Sequence, residues 1–277
     1  MTPLYLLVPF VAFIGVLGLV VGSFLNVVAY RLPAGQSLLR PSRCPGCGGR
    51  VLWWQNVPVL SWMLLRARCA SCGGTISARY PLVELTTGLA FAAVALWWSV
   101  TTAAAPEPLP ARLLVLAAFL WFAACGIVLT LIDLDTRRLP HAVTGPALLV
   151  GAILLLAACL AGADWGALLR AGVGAVSLWG FYAALRFIRP DGMGGGDVRL
   201  AAVVGLMLGW LGWGPLLVGA FAAFVVGGTV GIALLARGRA GRRTAIAFGP
   251  WIVVGAWIGV FAGDTLSTVY SSLYGGV

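Results

Sequence analysis

Eight carboxylates are all the acid in this sequence: Glu84, Glu107, Asp133, Asp135, Asp164, Asp191, Asp197 and Asp264. Two sites among them could do chemistry. Asp133 and Asp135 close an apolar run in LTLIDLDTRRLP at 129–140, and Asp197 follows the glycines of GMGGGDVRL at 192–200. Two carboxyls in one cavity can share a proton, one acting as base toward water and the other as acid toward a peptide carbonyl. Plainer roles exist for each. Asp197 could be a first-turn helix acid favoured by the macrodipole, and Asp133 and Asp135 a solvated helix end beside Arg137 and Arg138. Glu107, Asp164 and Asp264 fall in links or the tail, where solvation accounts for them.

The glycines before Asp197 admit several readings. A dinucleotide fingerprint needs a preceding strand and a βαβ unit. A calcium-binding glycine/aspartate repeat comes in arrays, and this is one copy. On the stretch alone a plain loop is the simplest reading. With acids nearby, Gly192, Gly194, Gly195 and Gly196 would let backbone approach a substrate chain closely and adopt positive φ.

A second constellation is Cys44-Pro45-Gly46-Cys47 and Cys69-Ala70-Ser71-Cys72, two C-x-x-C knuckles with 21 residues between them. Four thiolates suit tetrahedral zinc, with each pair biting one ion. A redox pair is the rival, but two copies in one short segment favour metal. A segment of about 50 residues buries too little surface to fold alone, so a metal staple has a purpose. Cys125 and Cys159 stand alone in apolar runs and read as packing residues.

The elements that carry these residues follow from composition. Of 277 residues, 61% are hydrophobic and 9% charged, against about 25% charged in soluble domains. The chain is an all-α polytopic membrane protein, because continuous apolar runs of bilayer length must be helices. Eight such runs lie at about 4–28, 82–103, 111–132, 142–163, 167–188, 199–213, 216–236 and 246–263. The first is too long for a signal peptide and lacks a basic start and a small-residue cleavage site, so it is a retained helix. The chain divides into a first transmembrane helix at 1–30, a small cytoplasmic cysteine domain at 31–81, and a transmembrane core at 82–277.

Charge orients the bundle. There is no lysine, and all 18 basic residues are arginine. Arg31, Arg40, Arg43, Arg50, Arg66, Arg68 and Arg79 fall between the first two runs; Arg137 and Arg138 follow the third. Arg186, Arg189 and Arg199 flank the link from the fifth to the sixth, and Arg237, Arg239, Arg242 and Arg243 fill the link from the seventh to the eighth. The alternate links hold only Arg112 and Arg170. The positive-inside rule makes the first set cytoplasmic and both termini external. The net charge of +10 is then a topology signal and a match for anionic lipid. Nucleic-acid binding could use such charge too, but the arginines are spread over four loops without a compact basic face, which argues against it. With this topology the third run exits, and the sixth enters, at the same cytoplasmic boundary. That brings Asp133, Asp135 and Asp197 to one depth, where ionisable groups are costly and functional. A transporter or channel could also use intramembrane acids and broken helices. Against it, these acids sit at one interface rather than the midplane, and no internal repeat is visible.

Four stretches in order resemble the bacterial type IV prepilin peptidases, polytopic aspartic proteases of the GxGD class. GSFLNVVAYRLP at 22–33 resembles the family's N-terminal signature, and the segment from Cys44 to Leu85 resembles its cytoplasmic cysteine domain. Gly194-Gly195-Gly196-Asp197 matches GxGD, and FGP at 248–250 resembles a late signature. The resemblance implies an endopeptidase with catalytic Asp133 and Asp197; Asp133 is singled out from Asp135 by standing seven residues ahead of Pro140. It implies cleavage after the glycine that ends a short basic leader of prepilin or pseudopilin substrates, at the cytoplasmic face of the inner membrane. It also implies N-methylation of the new N-terminus with S-adenosylmethionine. His141 stands where the family usually carries aspartate or asparagine, and reads as a polar cap opening the next helix. Asp135, Asp191 and Glu84 are the remaining acids near the cytoplasmic boundary, suited to receive a basic leader or to shape loops.

Overall fold

The computed structural model describes residues 4–103, 106–237 and 247–274. Arg239, Arg242 and Arg243 lie outside the described residues, as does the side chain of Asp191. Among the described residues there are α-helices, two short 3-10 turns and no strand. The helices are α1 (Leu4–Arg31), α2 (Leu60–Leu64), α3 (Arg79–Thr101), α4 (Leu109–Thr136), α5 (His141–Leu160), α6 (Trp165–Ile188), α7 (Gly195–Leu211), α8 (Trp213–Ala236) and α9 (Gly249–Tyr274).

Among the described residues, each of the eight long helices overlaps one of the eight apolar runs, with α9 continuing to Tyr274, eleven residues past the last run. Seven are long and apolar enough to cross a membrane. The exception is α7, whose 17 residues span only about 25 Å, against a hydrocarbon core of about 30 Å. It has little need to match the lipid, because most of its side chains are buried by other helices.

The chain forms two compact units, Met1–Ala105 and Pro106–Val277. In the first, α1 packs along α3, and the cysteine segment connects them. The Asn26 amide donates to the Tyr80 carbonyl at 3.2 Å, tying the end of α1 to the first turn of α3.

In the second unit, α7 packs against α5, α6, α8 and α9, and α9 also meets α4. The contact of α6 with α7 is backbone to backbone: a Cβ on Gly174 would come within 2.5 Å of the Gly205 carbonyl oxygen. Small residues at such crossings let helices approach where lipid offers no hydrophobic drive. Arg170 on α6 crosses to the far end of α7, its Nε donating to the Gly209 carbonyl at 2.9 Å and its Nη2 to the Trp210 carbonyl at 3.0 Å. That arginine holds the negative end of the α7 dipole. Asp164, assigned above to solvation alone, caps α6 instead. Its carboxylate accepts from the backbone N–H of Gly166 at 2.9 Å and Ala167 at 3.0 Å, satisfying two of that helix's free donors.

Two helix ends fix the place of the acids. α4 runs through Asp133 and Asp135 to Thr136, and stops at Arg137, which is left-handed (φ 53°, ψ 37°) and donates its N–H to the Asp133 carbonyl at 2.8 Å. Pro140 then keeps Leu139 out of helical geometry, and α5 starts at His141. α7 starts at Gly195, four residues earlier than the apolar run suggested, so Asp197 stands within its first turn.

Candidate active site

Asp133 lies in the last turn of α4 and is buried. Its Oδ2 accepts a hydrogen bond from the backbone N–H of Gly249 at 3.0 Å. Gly249 is the first residue of α9, so the bond uses one of that helix's free amide donors. Asp135, two residues on and so on the opposite side of the helix, is exposed. Of the two neighbouring acids, only Asp133 faces the protein interior.

Asp197 is also buried. Its Oδ2 accepts from the Gly194 backbone N–H at 3.1 Å, the reach-back of a third-position acid to the residue that opens its helix. The first-turn role considered above is therefore real. It does not exhaust the residue, because the charge of Asp133 also acts on Asp197.

Leu139 explains how the two acids meet. A Cβ on Gly196 would lie 2.5 Å from the Leu139 Cβ, and one on Gly249 would lie 3.3 Å from Leu139 Cδ1 and 2.7 Å from Asp133 Oδ2. The buried Leu139 side chain is wedged between the starting turns of α7 and α9, with an aspartate beside each. Nothing in the sequence singled out Leu139. Tyr182 on α6 went unnoticed too: it is buried and within range of the Asp197 charge. Its ring packs on Phe224 and Phe248 at centroid distances of 5.5 and 6.5 Å, closing that side of the site with aromatics. A tyrosine at a helix-spaced apolar position reads as core, so only the tertiary contact reveals it.

The glycines act differently from the expectation. None of Gly192, Gly194, Gly195 and Gly196 has positive φ, and Gly195 and Gly196 belong to α7 rather than to a loop. What they provide is room for neighbouring side chains. A Cβ on Gly194 would press on Asp197 Oδ2 at 2.8 Å, one on Gly195 would overlap the Arg186 guanidinium, and one on Gly196 would overlap Leu139. Gly192 meets only ordinary contacts, with Arg189 carbons at 3.6 Å and beyond.

The other expected residues are placed as follows. The Asp191 backbone lies in a 3-10 turn at Pro190–Gly192. His141 occupies the first position of α5, and Pro140 holds the cap position. The His141 ring lies across Gly145, whose added Cβ would stand 3.0 Å from its Cε1. Glu84 is buried in α3 and accepts from the Val59 N–H at 2.7 Å and from the Ser23 hydroxyl. It shapes the cysteine segment. Cys125 and Cys159 are buried, in keeping with packing.

Within the first unit, the two cysteine knuckles are built alike. Cys44 N–H donates to Gly49 and Gly48 N–H to the Cys44 carbonyl; Cys69 repeats this with Gly74 and Gly73. Gly48 and Gly73 share φ of +69°, which glycine adopts without strain. Antiparallel bridges at Arg43–Arg50 and Arg68–Thr75 close the two turns. The four sulfurs lie within 4.8 Å of one another, and Cys44 Sγ is 3.9 Å from Cys72 Sγ. Four thiolates around one ion at about 2.3 Å stand about 3.8 Å apart, so the cluster fits a tetrahedral metal. Backbone N–H groups of Cys72 and Ser71 pull the Cys69 thiol down to about 6, whereas against the Gly74 amide the Cys47 and Cys69 sulfurs push Cys72 up to about 11.

Two buried carboxyls at helix ends, each accepting a glycine amide, are groups of the kind that acid–base chemistry uses. Comparison with known proteins agrees with that chemistry. Residues 16–98 match the bacterial peptidase A24 N-terminal domain, and residues 119–232 match the type IV leader peptidase family. A prepilin leader peptidase/N-methyltransferase of Myxococcus xanthus is 43% identical over 238 residues, 85% of this chain and 66% of that protein. One from Stutzerimonas stutzeri is 34% identical, covering 92% of this chain and 91% of its own length. One from Neisseria gonorrhoeae is 37% identical, covering 96% of each. No solved structure matches significantly. Both acids fall inside the matched peptidase region, and the cysteine cluster falls inside the matched N-terminal one; the chain belongs to the type IV leader peptidase family.

Proposed function

We propose that this chain is a membrane aspartic endopeptidase that removes the basic leader of prepilin and pseudopilin substrates after a glycine, and then N-methylates the exposed N-terminus. The observation that carries the peptidase reading is that Asp133 and Asp197 are both buried, at the end of α4 and the start of α7, with Leu139 wedged between those helix ends. One carboxylate takes a proton from water as its oxygen attacks the scissile carbonyl carbon. The protonated partner gives its proton to the carbonyl oxygen. When the C–N bond breaks, the proton taken from water passes to the departing nitrogen, and a hydroxyl proton returns to the first donor.

Zinc is the metal that suits the four thiolates, with a structural role in holding the segment between α1 and α3. The methyl group comes from S-adenosylmethionine, and no residue of this chain is assigned to hold it. By the arginine distribution the site opens to the cytoplasmic face of the inner membrane, with both termini outside and the arginine-rich links against anionic lipid. The transporter reading has no support: the acids stand at helix ends, and the matched family is a peptidase family.

The test is direct. Purified protein is incubated with a prepilin whose leader ends in glycine, and the product's N-terminus is sequenced. Cleavage after that glycine, lost in Asp133→Asn and Asp197→Asn, is the expected result. A wild-type protein that leaves pilin-like substrates whole overturns the reading.

A further inference from the structure

The segment from Leu52 to Leu64 is unlike the rest of the cysteine region. It is apolar, yet its large side chains point outward: Trp53 is 83% exposed, Met63 62% and Leu64 73%, with Leu52 and Leu60 about half exposed. Exposed aromatic and aliphatic clusters of this kind mark an interaction surface. Its inward side is fastened, for the Trp62 indole N–H donates to the Ile76 carbonyl at 3.1 Å. The outward display is therefore a fixed feature of the fold.

Its depth is also fixed. The Val59 N–H donates to the carboxylate of Glu84, which lies five residues into α3 from Arg79, about 7.5 Å along the helix axis. Glu84 in turn meets Ser23, eight residues before the end of α1. Arg31 and Arg79 sit at the ends of these two spanning helices, where arginines reach for headgroups. Glu side chains tilt toward the helix N-terminus, yet the bond still holds Val59 alongside the helix pair rather than beyond its ends. Charge points the same way. Between Leu32 and Ala78 there are five arginines (Arg40, Arg43, Arg50, Arg66 and Arg68) and no acid.

We propose that residues 52–64 form an interfacial membrane anchor, lying in the headgroup–acyl boundary of the bilayer that α1 and α3 cross, with the neighbouring arginines on anionic lipid headgroups. Interfacial segments bury apolar faces about 5–10 Å into that boundary, the same scale as the distance along α3 from Arg79 to Glu84, which holds Val59. Tryptophan suits the place, being apolar in body and polar at one edge. The inference rests on the spanning of α1 and α3 alone, so it stands or falls separately from the peptidase reading.

The experiment uses the full chain in phospholipid nanodiscs, with a benzophenone amino acid replacing Trp53, Met63 or Leu64 in turn. Leu89, an exposed residue of α3, is the control within the span. After irradiation, mass spectrometry identifies what is attached. Phospholipid adducts at all three positions are expected, with a several-fold higher yield in phosphatidylglycerol-containing discs than in phosphatidylcholine alone, and no such difference at Leu89. Adducts to helices α4–α9 or to added prepilin, in place of lipid, overturn the proposal. So does a yield at Met63 and Leu64 that is unaffected by lipid charge.

Discussion

The backbone N–H of Gly249 donates to Asp133 Oδ2 at 3.0 Å, across 116 residues of sequence. This bond gives the FGP stretch at 248–250 a physical role. The glycine lets the first turn of α9 come down onto an acid of α4, where any side chain would touch both Asp133 and Leu139.

Gly249→Ala should therefore impair cleavage without removing a catalytic group. The added methyl would stand 2.7 Å from Asp133 Oδ2, and such overpacking costs about 1–3 kcal/mol. The expected outcome is an inserted, folded protein with cleavage reduced at least tenfold, assayed on a prepilin. A wild-type rate would mean that the α9 amide does not set the Asp133 geometry.

Asp133→Asn and Asp197→Asn should each lower cleavage by about four orders of magnitude, since members of a catalytic pair act as a unit. The double variant should be no worse than either single one. Asparagine keeps the shape and still accepts the Gly249 or Gly194 amide, so folding should survive. Asp135→Asn is the control, because that side chain is exposed. An inactive Asp135→Asn beside an active Asp133→Asn would show that the pair is misassigned by two residues.

A milder effect is expected for the leader. Asp135→Asn should lower kcat/KM for basic leaders by no more than about fivefold, the worth of an exposed charge pair, and leave neutral leaders unchanged. Equal loss for both leader types would sink the idea.

The cysteine cluster should hold about one zinc per chain, as a four-thiolate site requires. Cys44→Ser and Cys72→Ser should each lose the metal and unfold the segment between α1 and α3. The helices themselves should stay inserted, because they satisfy their own backbones. Metal analysis with limited proteolysis reads both effects. Zinc-free wild-type protein with four freely titrating thiols in that segment would end the metal reading.

Asp164→Ala tests a residue outside the site. Loss of its bonds to Gly166 and Ala167 should cost about 1 kcal/mol of stability, visible in thermal unfolding, and leave cleavage unchanged.

The sequence by itself determined the helices and the cysteine cluster. Apolar runs of bilayer length have one way to satisfy their backbones, so the eight long helices lie where the runs lie. Cysteine spacing is a local property, and the two knuckles fold alike because their turns carry the same C-x-x-C-G-G pattern. The order and direction of the helices, read from the arginine distribution, predict one depth for Asp133, Asp135 and Asp197.

Only the tertiary structure decided between Asp133 and Asp135 on physical grounds. Helix rotation is set by packing, and packing turns Asp133 inward and leaves Asp135 outside. The same holds for the glycines before Asp197. Their sequence suggests a flexible loop, but their task is to leave room for Arg186, Leu139 and Asp197 against the first turn of α7. Leu139, Tyr182 and the Gly249 amide were illegible for a related reason. Each is an ordinary apolar residue or a backbone atom, and acquires a role only from what the fold lays beside it.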